Sequence, residues 1–202
     1  RSPDGGAATM TWTAMETPET HDGVDGTVGT HPRAKPGSQG YIHFSILADP
    51  TDANIVYVGG DRQPAANEDL DTNPPPEWPN SLGAMNYTGR LFRGDASEPM
   101  GSQWTSLTHN GTSSNSAPHA DSREMVFDAN GDIIEADDGG VYKRSDPRST
   151  SGDWTGIIGD INVTELHSVA WDAVSDIVIG GTQDVGAIEQ DETGETEWRT
   201  IT

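Results

Sequence analysis

The sequence lacks cysteine, has few hydrophobic residues and contains no long apolar run. With no cysteine among 202 residues, no disulfide can stabilise the fold. Only 32% of the residues are hydrophobic, whereas there are 24 glycines and 13 prolines. This composition argues against long amphipathic helices and favours many short strands joined by turns. No apolar segment approaches the roughly 20 residues that a membrane-spanning helix requires, so we expect no membrane span.

Basic residues are also scarce. The chain has 33 acidic residues against 11 basic ones, and its formal net charge is -22. Nucleic acids and anionic membranes carry negative charge themselves, so both are excluded as expected partners. Such a balance is typical of proteins that bind cations or stay soluble in salt. For most of these carboxylates the simplest interpretation is a solvated surface.

One complete structural unit can be read from residues 117–146. A strand is predicted over 122–128, with alternate residues on opposite faces. It is followed by Asn130-Gly131, a strong hairpin signal, because both residues tolerate the positive φ of a tight primed turn. A second strand is predicted from Ile133, and a third precedes a turn and a Trp-bearing fourth strand. The unit is therefore predicted to be one four-stranded antiparallel sheet.

The same unit recurs along the chain. In each copy an acidic residue after the third strand precedes a turn and a Trp that opens the fourth strand. The pairs are Asp4 and Trp12, Asp95 and Trp104, Asp146 and Trp154, and Asp191 and Trp198. The aspartate can accept hydrogen bonds from its own loop, and the Trp can cover the joint between neighbouring sheets. Four-stranded units repeated at roughly 45 to 90 residues indicate a β-propeller.

The predicted fold is an all-β propeller segment of about three four-stranded antiparallel blades plus part of another. Its expected parts are the tail of a preceding blade (1–16), a loop (17–40), a blade (41–108) with a Pro-rich insertion (62–88), and two further blades (109–158 and 159–202). Propellers typically need at least about four blades. We therefore expect the chain to be a fragment of a larger propeller, with further blades supplied by the rest of the protein or by a partner.

The Asp-to-Trp turns resemble degenerate Asp-boxes, the repeats of sialidase-like (BNR) propellers, with a longer spacing than the Ser-x-Asp-x-Gly-x-Thr-Trp pattern. The phrases that carry a closer likeness are Gly59-Gly60-Asp61, Asp137-Asp138-Gly139-Gly140-Val141-Tyr142 and Gly180-Gly181-Thr182-Gln183-Asp184-Val185-Gly186. They resemble phrases of secreted propellers related to sortilin-type domains and to xyloglucan-hydrolysing glycosidases. The resemblance implies an extracellular or cell-surface protein that recognises an extracellular ligand, with a glycan as the leading candidate and a protein as the alternative.

Acidic and imidazole side chains are expected to meet at one mouth of the propeller channel. The aspartates that follow predicted second strands are Asp61, Asp137, Asp138 and Asp184, and the residues near the start of first strands are His43, His119, Asp121 and His167. The ligand-binding residues expected at this mouth are Asp61, Asp138, Arg123, His43, His167 and Gln183.

Three interpretations of this mouth remain open. The likeness to xyloglucan-hydrolysing enzymes implies that Asp137 and Asp184 are a general acid and base, although that family takes its two aspartates from two facing propellers. A sialidase mechanism needs three arginines and a Tyr nucleophile, and only Arg123 is suitably placed. Alternatively, His119 and Asp121, at strand spacing, could hold calcium or another divalent cation. In the third interpretation the aspartates cap their own turns and are structural.

Overall fold

The protein is all-β in the residues that its structure, a computed structural model, describes: 13–23, 26–30, 42–69, 71–159, 164–183 and 186–201. The chain divides into two compact units, Arg1–Gly159 and Asp160–Thr202. The first contains a two-stranded sheet and two four-stranded antiparallel sheets. The second contains one four-stranded antiparallel sheet.

The strands of the first unit are short. In chain order they are β1 Glu19–Thr20, β2 Thr27–Val28, β3 Ser45–Ala48, β4 Ile55–Arg62, β5 Gly89–Asp95, β6 Trp104–Ser106, β7 Glu124–Phe127, β8 Ile133–Asp137, β9 Gly140–Arg144 and β10 Trp154–Gly156. The second unit contains β11 Leu166–Asp172, β12 Ile177–Thr182, β13 Gly186–Gln190 and β14 Trp198–Ile201.

Each four-stranded sheet is a simple meander of consecutive strands. We call β3-β4-β5-β6 sheet 1, β7-β8-β9-β10 sheet 2 and β11-β12-β13-β14 sheet 3. They fall within the predicted segments 41–108, 109–158 and 159–202, so the prediction of four-stranded antiparallel units is confirmed. Within 17–40, the prediction of a loop is wrong at one place, because β1 and β2 pair there as a small antiparallel ribbon.

The first hairpin of sheet 2 is confirmed, but its turn differs from the prediction. β7 and β8 pair from Glu124 opposite Ala136 onward. Gly131 alone has positive φ in this turn, whereas Asn130 does not. The physical reason is Asp128, whose Oδ1 accepts hydrogen bonds from the backbone N–H groups of Asn130 and Asp132 at 2.8 and 3.0 Å. This side-chain cap stabilises a wider turn than the tight primed turn that the sequence predicts.

Sheet 1 differs from the prediction at the end of its second strand. Asp61 was expected to follow the second strand of this sheet, but β4 includes Asp61 and continues to Arg62. Pairing with β5 extends β4 past Gly59 and Gly60, with a register irregularity between Gly59 and Arg62. From residue 63 to residue 88 the described chain forms no strand, as the Pro-rich sequence predicts.

The hydrophobic core of the first unit is shared by sheets 1 and 2. Its buried members are Ile55, Tyr57, Leu91, Leu107, Met125, Ile133 and Trp154. Trp154 is 6% exposed, and its indole Nε1–H donates a hydrogen bond to the carbonyl of Leu107 at 2.8 Å. This Trp of sheet 2 therefore covers the end of sheet 1, as expected for the repeated Trp position.

Two aspartates of the Asp-to-Trp turns, Asp95 and Asp146, cap their own loops. Asp95 accepts hydrogen bonds from the backbone N–H of Ser97 at 2.9 Å and from its hydroxyl at 2.6 Å. Asp146 accepts from the hydroxyls of Ser149 and Ser151. In both turns the acidic residue organises the connection between the third and fourth strands. Asp4 lies outside the described residues.

Candidate functional site

Sheets 1 and 2 meet along their first strands, β3 and β7, at a contact that we call the seam. Ser45 of β3 and Ser122, just before β7, are both buried, and their Oγ atoms lie 2.6 Å apart. Gly59 of β4 packs against both serines: a Cβ on Gly59 would lie 2.5 Å from Ser122 Oγ and 2.7 Å from Ser45 Oγ. The seam is therefore closely packed around a hydroxyl pair.

Ligand atoms of His43, Asp121 and Asp138 lie within 4.8 Å of one another at one end of the seam. His43 precedes β3, Asp121 precedes β7, and Asp138 lies in the turn after β8. His43 is buried, and its Nε2 lies 3.9 Å from Asp121 Oδ1. The two sheets thus each contribute to one cluster. Asp61 forms a hydrogen bond with Asp121. We call His43, Asp61, Asp121 and Asp138 the seam cluster.

Negative charge is concentrated in the seam cluster. Burial raises the pKa of Asp121 most, a hydrogen bond with Asp61 and the charges of Asp61 and Asp138 raise it further, and Arg123 lowers it, so that the pKa reaches about 7. Asp121 also has a left-handed φ of 71°, which is uncommon for a residue other than glycine. A perturbed carboxyl group in a strained backbone conformation is typical of a functional site.

Arg123 supplies positive charge at the edge of the cluster. Its Nε and Nη2 donate hydrogen bonds to Asp138 Oδ1 at 2.9 and 2.7 Å. The side chains of Arg123 and Asp138 are 41% and 20% exposed, so this ion pair faces solvent. One oxygen of Asp138 is thereby held in place.

Asp137 turns its carboxylate into its own loop. Its Oδ1 accepts a hydrogen bond from the Gly139 N–H at 2.8 Å, and the residue is 9% exposed. Burial is the main reason why its pKa rises to about 6, although hydrogen bonds from Glu135 and from the backbone of the turn act in the opposite direction. This contact fits the structural interpretation of an Asp-Gly-Gly turn. The proposed pairing of Asp137 with Asp184 stays a prediction, because Asp184 lies outside the described residues.

Glu135 was not among the site residues predicted from the sequence. This residue of β8 is completely buried, and burial, followed by the charge of Asp137, raises its pKa to about 9. Its cross-strand neighbours are Met125 and Tyr142. A signal was available in the alternation of Ile133, Glu135 and Asp137, which places two carboxyl groups on the buried face of a strand.

The remaining predicted residues divide into two groups. His119 lies outside the group formed by His43, Asp121 and Asp138: its ring stacks on exposed Tyr87 with centroids 6.4 Å apart, and its Nδ1 is 3.2 Å from the Ala120 carbonyl oxygen. His167 and Gln183 belong to the second unit, where His167 Nε2 is 2.8 Å from Gln183 Oε1 at an exposed position.

Comparisons with family models, with curated proteins and with solved structures gave no match for this chain. Among the residues that the structure describes, no helix has the length and apolarity needed to cross a membrane.

Proposed function

We propose that this chain is part of a ligand-binding β-propeller and that it binds a divalent cation at the seam cluster. The observation that carries the proposal is the approach of His43, Asp121 and Asp138 ligand atoms to within 4.8 Å of one another. Such a group needs only small adjustments to surround an ion with metal-ligand bonds of about 2.0 to 2.6 Å.

The electrostatics of the cluster also support a cation. Three aspartates and one imidazole converge there, and burial, followed by the neighbouring Asp61 and Asp138, raises the pKa of Asp121 to about 7. A bound divalent ion replaces the proton and relieves this repulsion. Because one ligand is an imidazole nitrogen, Mn²⁺ and Zn²⁺ suit this set better than an ion that prefers oxygen ligands alone.

The proposed ligand of the cation-loaded site is an extracellular glycan. This part rests on the resemblance of the repeats to Asp-box propellers, and so does the proposed location outside the cell or at its surface. Sugar hydroxyls are suitable ligands for a protein-bound cation. Arg123, at the exposed edge of the cluster, offers donors to a sugar or to an acidic group on it.

Glycoside hydrolysis is the second candidate. Ligand atoms of Asp121 and Asp138 lie within 4.8 Å, close to the roughly 5 Å between the carboxyl groups of retaining glycosidases. Asp121, with its raised pKa, would then serve as the general acid, and Asp138 would serve as the nucleophile. Hydrolysis predicts that the unmodified protein releases reducing sugar from xyloglucan. It also predicts that Asp121→Asn and Asp138→Asn both abolish this release, a result that would favour hydrolysis over simple binding.

The cation proposal is tested by calorimetric titration of chelator-treated protein with MnCl₂ and ZnCl₂. We expect binding at one site per chain, weakened at least about tenfold (1.4 kcal/mol) in Asp121→Asn. Glu98→Gln is the control, since it removes one exposed negative charge elsewhere in sheet 1. Equal affinities for Asp121→Asn and the unmodified protein, or no binding at all, would contradict the proposal.

A further inference from the structure

The Pro-rich insertion 62–88 forms a pocket with a volume of about 230 Å³, which we call the insertion pocket. Aromatic, amide and charged side chains line it, among them Arg62, Asn67, Glu68, Trp78, Asn86 and Tyr87. Pockets for drug-sized ligands have volumes of roughly 300 to 1,000 Å³. The insertion pocket therefore suits a smaller ligand, of about one ring.

Tyr87 leaves much of its aromatic ring open beside this pocket. One face of the ring stacks on His119, with an interplanar angle of 2° and centroids 6.4 Å apart. The residue is nevertheless 61% exposed. Its φ is 60°, a left-handed value that is an outlier for a bulky side chain. An exposed aromatic residue held in a strained conformation is typical of a ligand-binding site.

Hydrogen bonds on both sides of Tyr87 hold this conformation. The Tyr87 N–H donates to Asn86 Oδ1 at 3.1 Å, and the Tyr87 carbonyl accepts the Ala120 N–H at 3.0 Å. The carbonyl of the next residue, Thr88, accepts the Gln63 N–H at 2.8 Å. The ring is therefore positioned before a ligand arrives, so that binding costs little ordering entropy.

Other walls of the pocket are also held by hydrogen bonds. Nη1 and Nη2 of Arg62 donate to the two carboxylate oxygens of Glu68 at 3.2 and 2.9 Å. Asn67 Nδ2 donates to the Pro75 carbonyl at 3.0 Å, and Asn67 Oδ1 accepts the Glu77 N–H at 2.8 Å. The polar groups around the pocket are thus fixed in place, as a preformed binding site requires.

From these contacts we infer that the insertion pocket binds one neutral sugar ring. The C–H groups of a pyranose carry slight positive charge and pack on the negative face of an aromatic ring, here that of Tyr87. Sugar hydroxyls donate and accept, which matches the amide, guanidinium and carboxylate groups of the pocket. Within the described part of the chain, the buried indole N–H of Trp78 has no acceptor, and a sugar hydroxyl would supply one. Glu68 and Asp69 outweigh Arg62 in charge, which disfavours an anionic sugar.

The insertion pocket adjoins the seam cluster, so the inference deepens the proposed function and rests on it for the link to a longer glycan. Arg62 directly follows Asp61 of the cluster, and the Arg62 N–H donates to Asp61 Oδ1 at 2.7 Å. Ala120, whose N–H bonds to the Tyr87 carbonyl, directly precedes Asp121. A glycan of two or more residues then binds the cation with one sugar and Tyr87 with another.

The inference is tested by saturation-transfer NMR and calorimetry with methyl β-glucoside, methyl β-galactoside and methyl α-mannoside. We expect at least one of these glycosides to bind with a dissociation constant of about 1 to 10 mM. Tyr87→Asn, in which asparagine tolerates the left-handed φ, should weaken this binding at least about tenfold. Tyr87→Phe keeps the ring and should keep the binding. Trp171→Asn is the matched control, since it removes an exposed aromatic side chain of sheet 3.

A second variant, Asn86→Asp, covers the case in which Tyr87→Asn does not fold. Its carboxylate can still accept the Tyr87 N–H, but it removes an amide donor from the pocket and adds negative charge. Binding of the glycoside should again weaken about tenfold.

Asp121→Asn separates this inference from the cation proposal. It should lose Mn²⁺ binding but keep binding of the methyl glycoside, whereas Tyr87→Asn should do the reverse. An unmodified chain that binds a methyl glycoside but no Mn²⁺ would contradict the cation proposal alone. The inference is overturned if none of the three glycosides binds at about 50 mM, or if a folded Tyr87→Asn or Asn86→Asp binds as tightly as the unmodified chain. Binding of choline chloride in their place would also overturn it, because the aromatic and acidic groups would then recognise an organic cation.

Discussion

Arg148 and Asp49 form a two-point ion pair across 99 residues of sequence. Nε of Arg148 lies 2.8 Å from Asp49 Oδ2, and its Nη2 donates to Oδ1 at 2.9 Å. Asp49 follows β3 of sheet 1, whereas Arg148 lies in the turn between β9 and β10 of sheet 2. The Asp49 side chain is fully buried, and the Arg148 guanidinium also lies 5.5 Å from the ring centroid of Phe127. This pair therefore ties the two sheets together.

Removal of this guanidinium should destabilise the first unit. In Arg148→Met the buried carboxylate of Asp49 loses its charged partner, and we expect the free energy of unfolding to fall by about 1 to 3 kcal/mol. Urea denaturation followed by Trp fluorescence measures the change. Arg199→Met is the matched control, because that arginine is 60% exposed and its ion pair with Glu189 should contribute less than about 1 kcal/mol. Equal losses in the two variants would contradict a special role for Arg148.

Asp49 should also make the stability depend on acid pH. Burial alone would raise its pKa, but hydrogen bonds from Arg148, Thr51 and Asp52 outweigh burial and hold the pKa well below the ordinary value of 3.8. The folded state therefore releases this proton more readily than the unfolded state does. Its stabilising contribution is present above pH 3.8 and is lost as the pH falls toward the lower, folded-state pKa.

The comparison that isolates this effect uses Asp49→Asn. Between about pH 5 and pH 2 we expect the unfolding free energy of Asp49→Asn to fall less steeply than that of the unmodified protein. Chemical denaturation at a series of pH values gives both slopes. Identical slopes would show that other carboxylates determine the acid sensitivity.

Gly59 should tolerate no side chain. An added Cβ would lie 2.5 Å from Ser122 Oγ and 2.7 Å from Ser45 Oγ, closer than real Cβ contacts allow. We expect Gly59→Ala to reduce the unfolding free energy by about 1 to 3 kcal/mol, because the seam must open. Gly156→Ala is the control, since its nearest neighbour, a Tyr142 ring atom, would be 3.7 Å away. A melting temperature for Gly59→Ala equal to that of the control would show that the seam is looser than described.

The indole N–H of Trp154 should contribute measurably to stability. Trp154→Phe keeps an aromatic ring but leaves the buried Leu107 carbonyl without its 2.8 Å hydrogen bond. We expect a loss of about 1 to 2 kcal/mol by denaturant titration. Trp171→Phe loses a similar bond, to Asp176, at a side chain that is 65% exposed, so its effect should be smaller. The reverse order would contradict the role assigned to Trp154.

The strands of this protein were largely predictable from its turns. Asp-Gly, Asn-Gly and Asp-to-Trp segments mark where strands end, and the four strands of sheet 3 fall within the predicted segment 159–202. The prediction was wrong where tertiary contacts decide the outcome. Glycines weaken strands locally, yet pairing with β5 carries β4 through Gly59 and on to Arg62.

The candidate site was predictable in its location more than in its chemistry. Strand order places Asp121 and Asp138 at the same end of sheet 2, and the contact between β3 and β7 brings His43 of sheet 1 to them. The spacing of His119 and Asp121 predicted that both side chains bind one cation. The His119 ring instead stacks on Tyr87, which belongs to the Pro-rich insertion 62–88. Glu135 was missed because a glutamate in a strand is usually a solvated residue, and only the packing of two sheets reveals that it is buried.

The meander topology described above has a consequence for the order of folding. Hydrogen bonds within each four-stranded sheet join neighbouring strands, whereas the Ser45–Ser122 and Asp49–Arg148 contacts close loops of 77 and 99 residues. Closure of long loops has the larger entropic cost. We therefore expect the individual sheets to form first and to dock later, a sequence that pulsed hydrogen exchange during refolding can resolve. The cation ligands, which come from both sheets, would then assemble only in the docking step, so that binding affinity reports on completed folding.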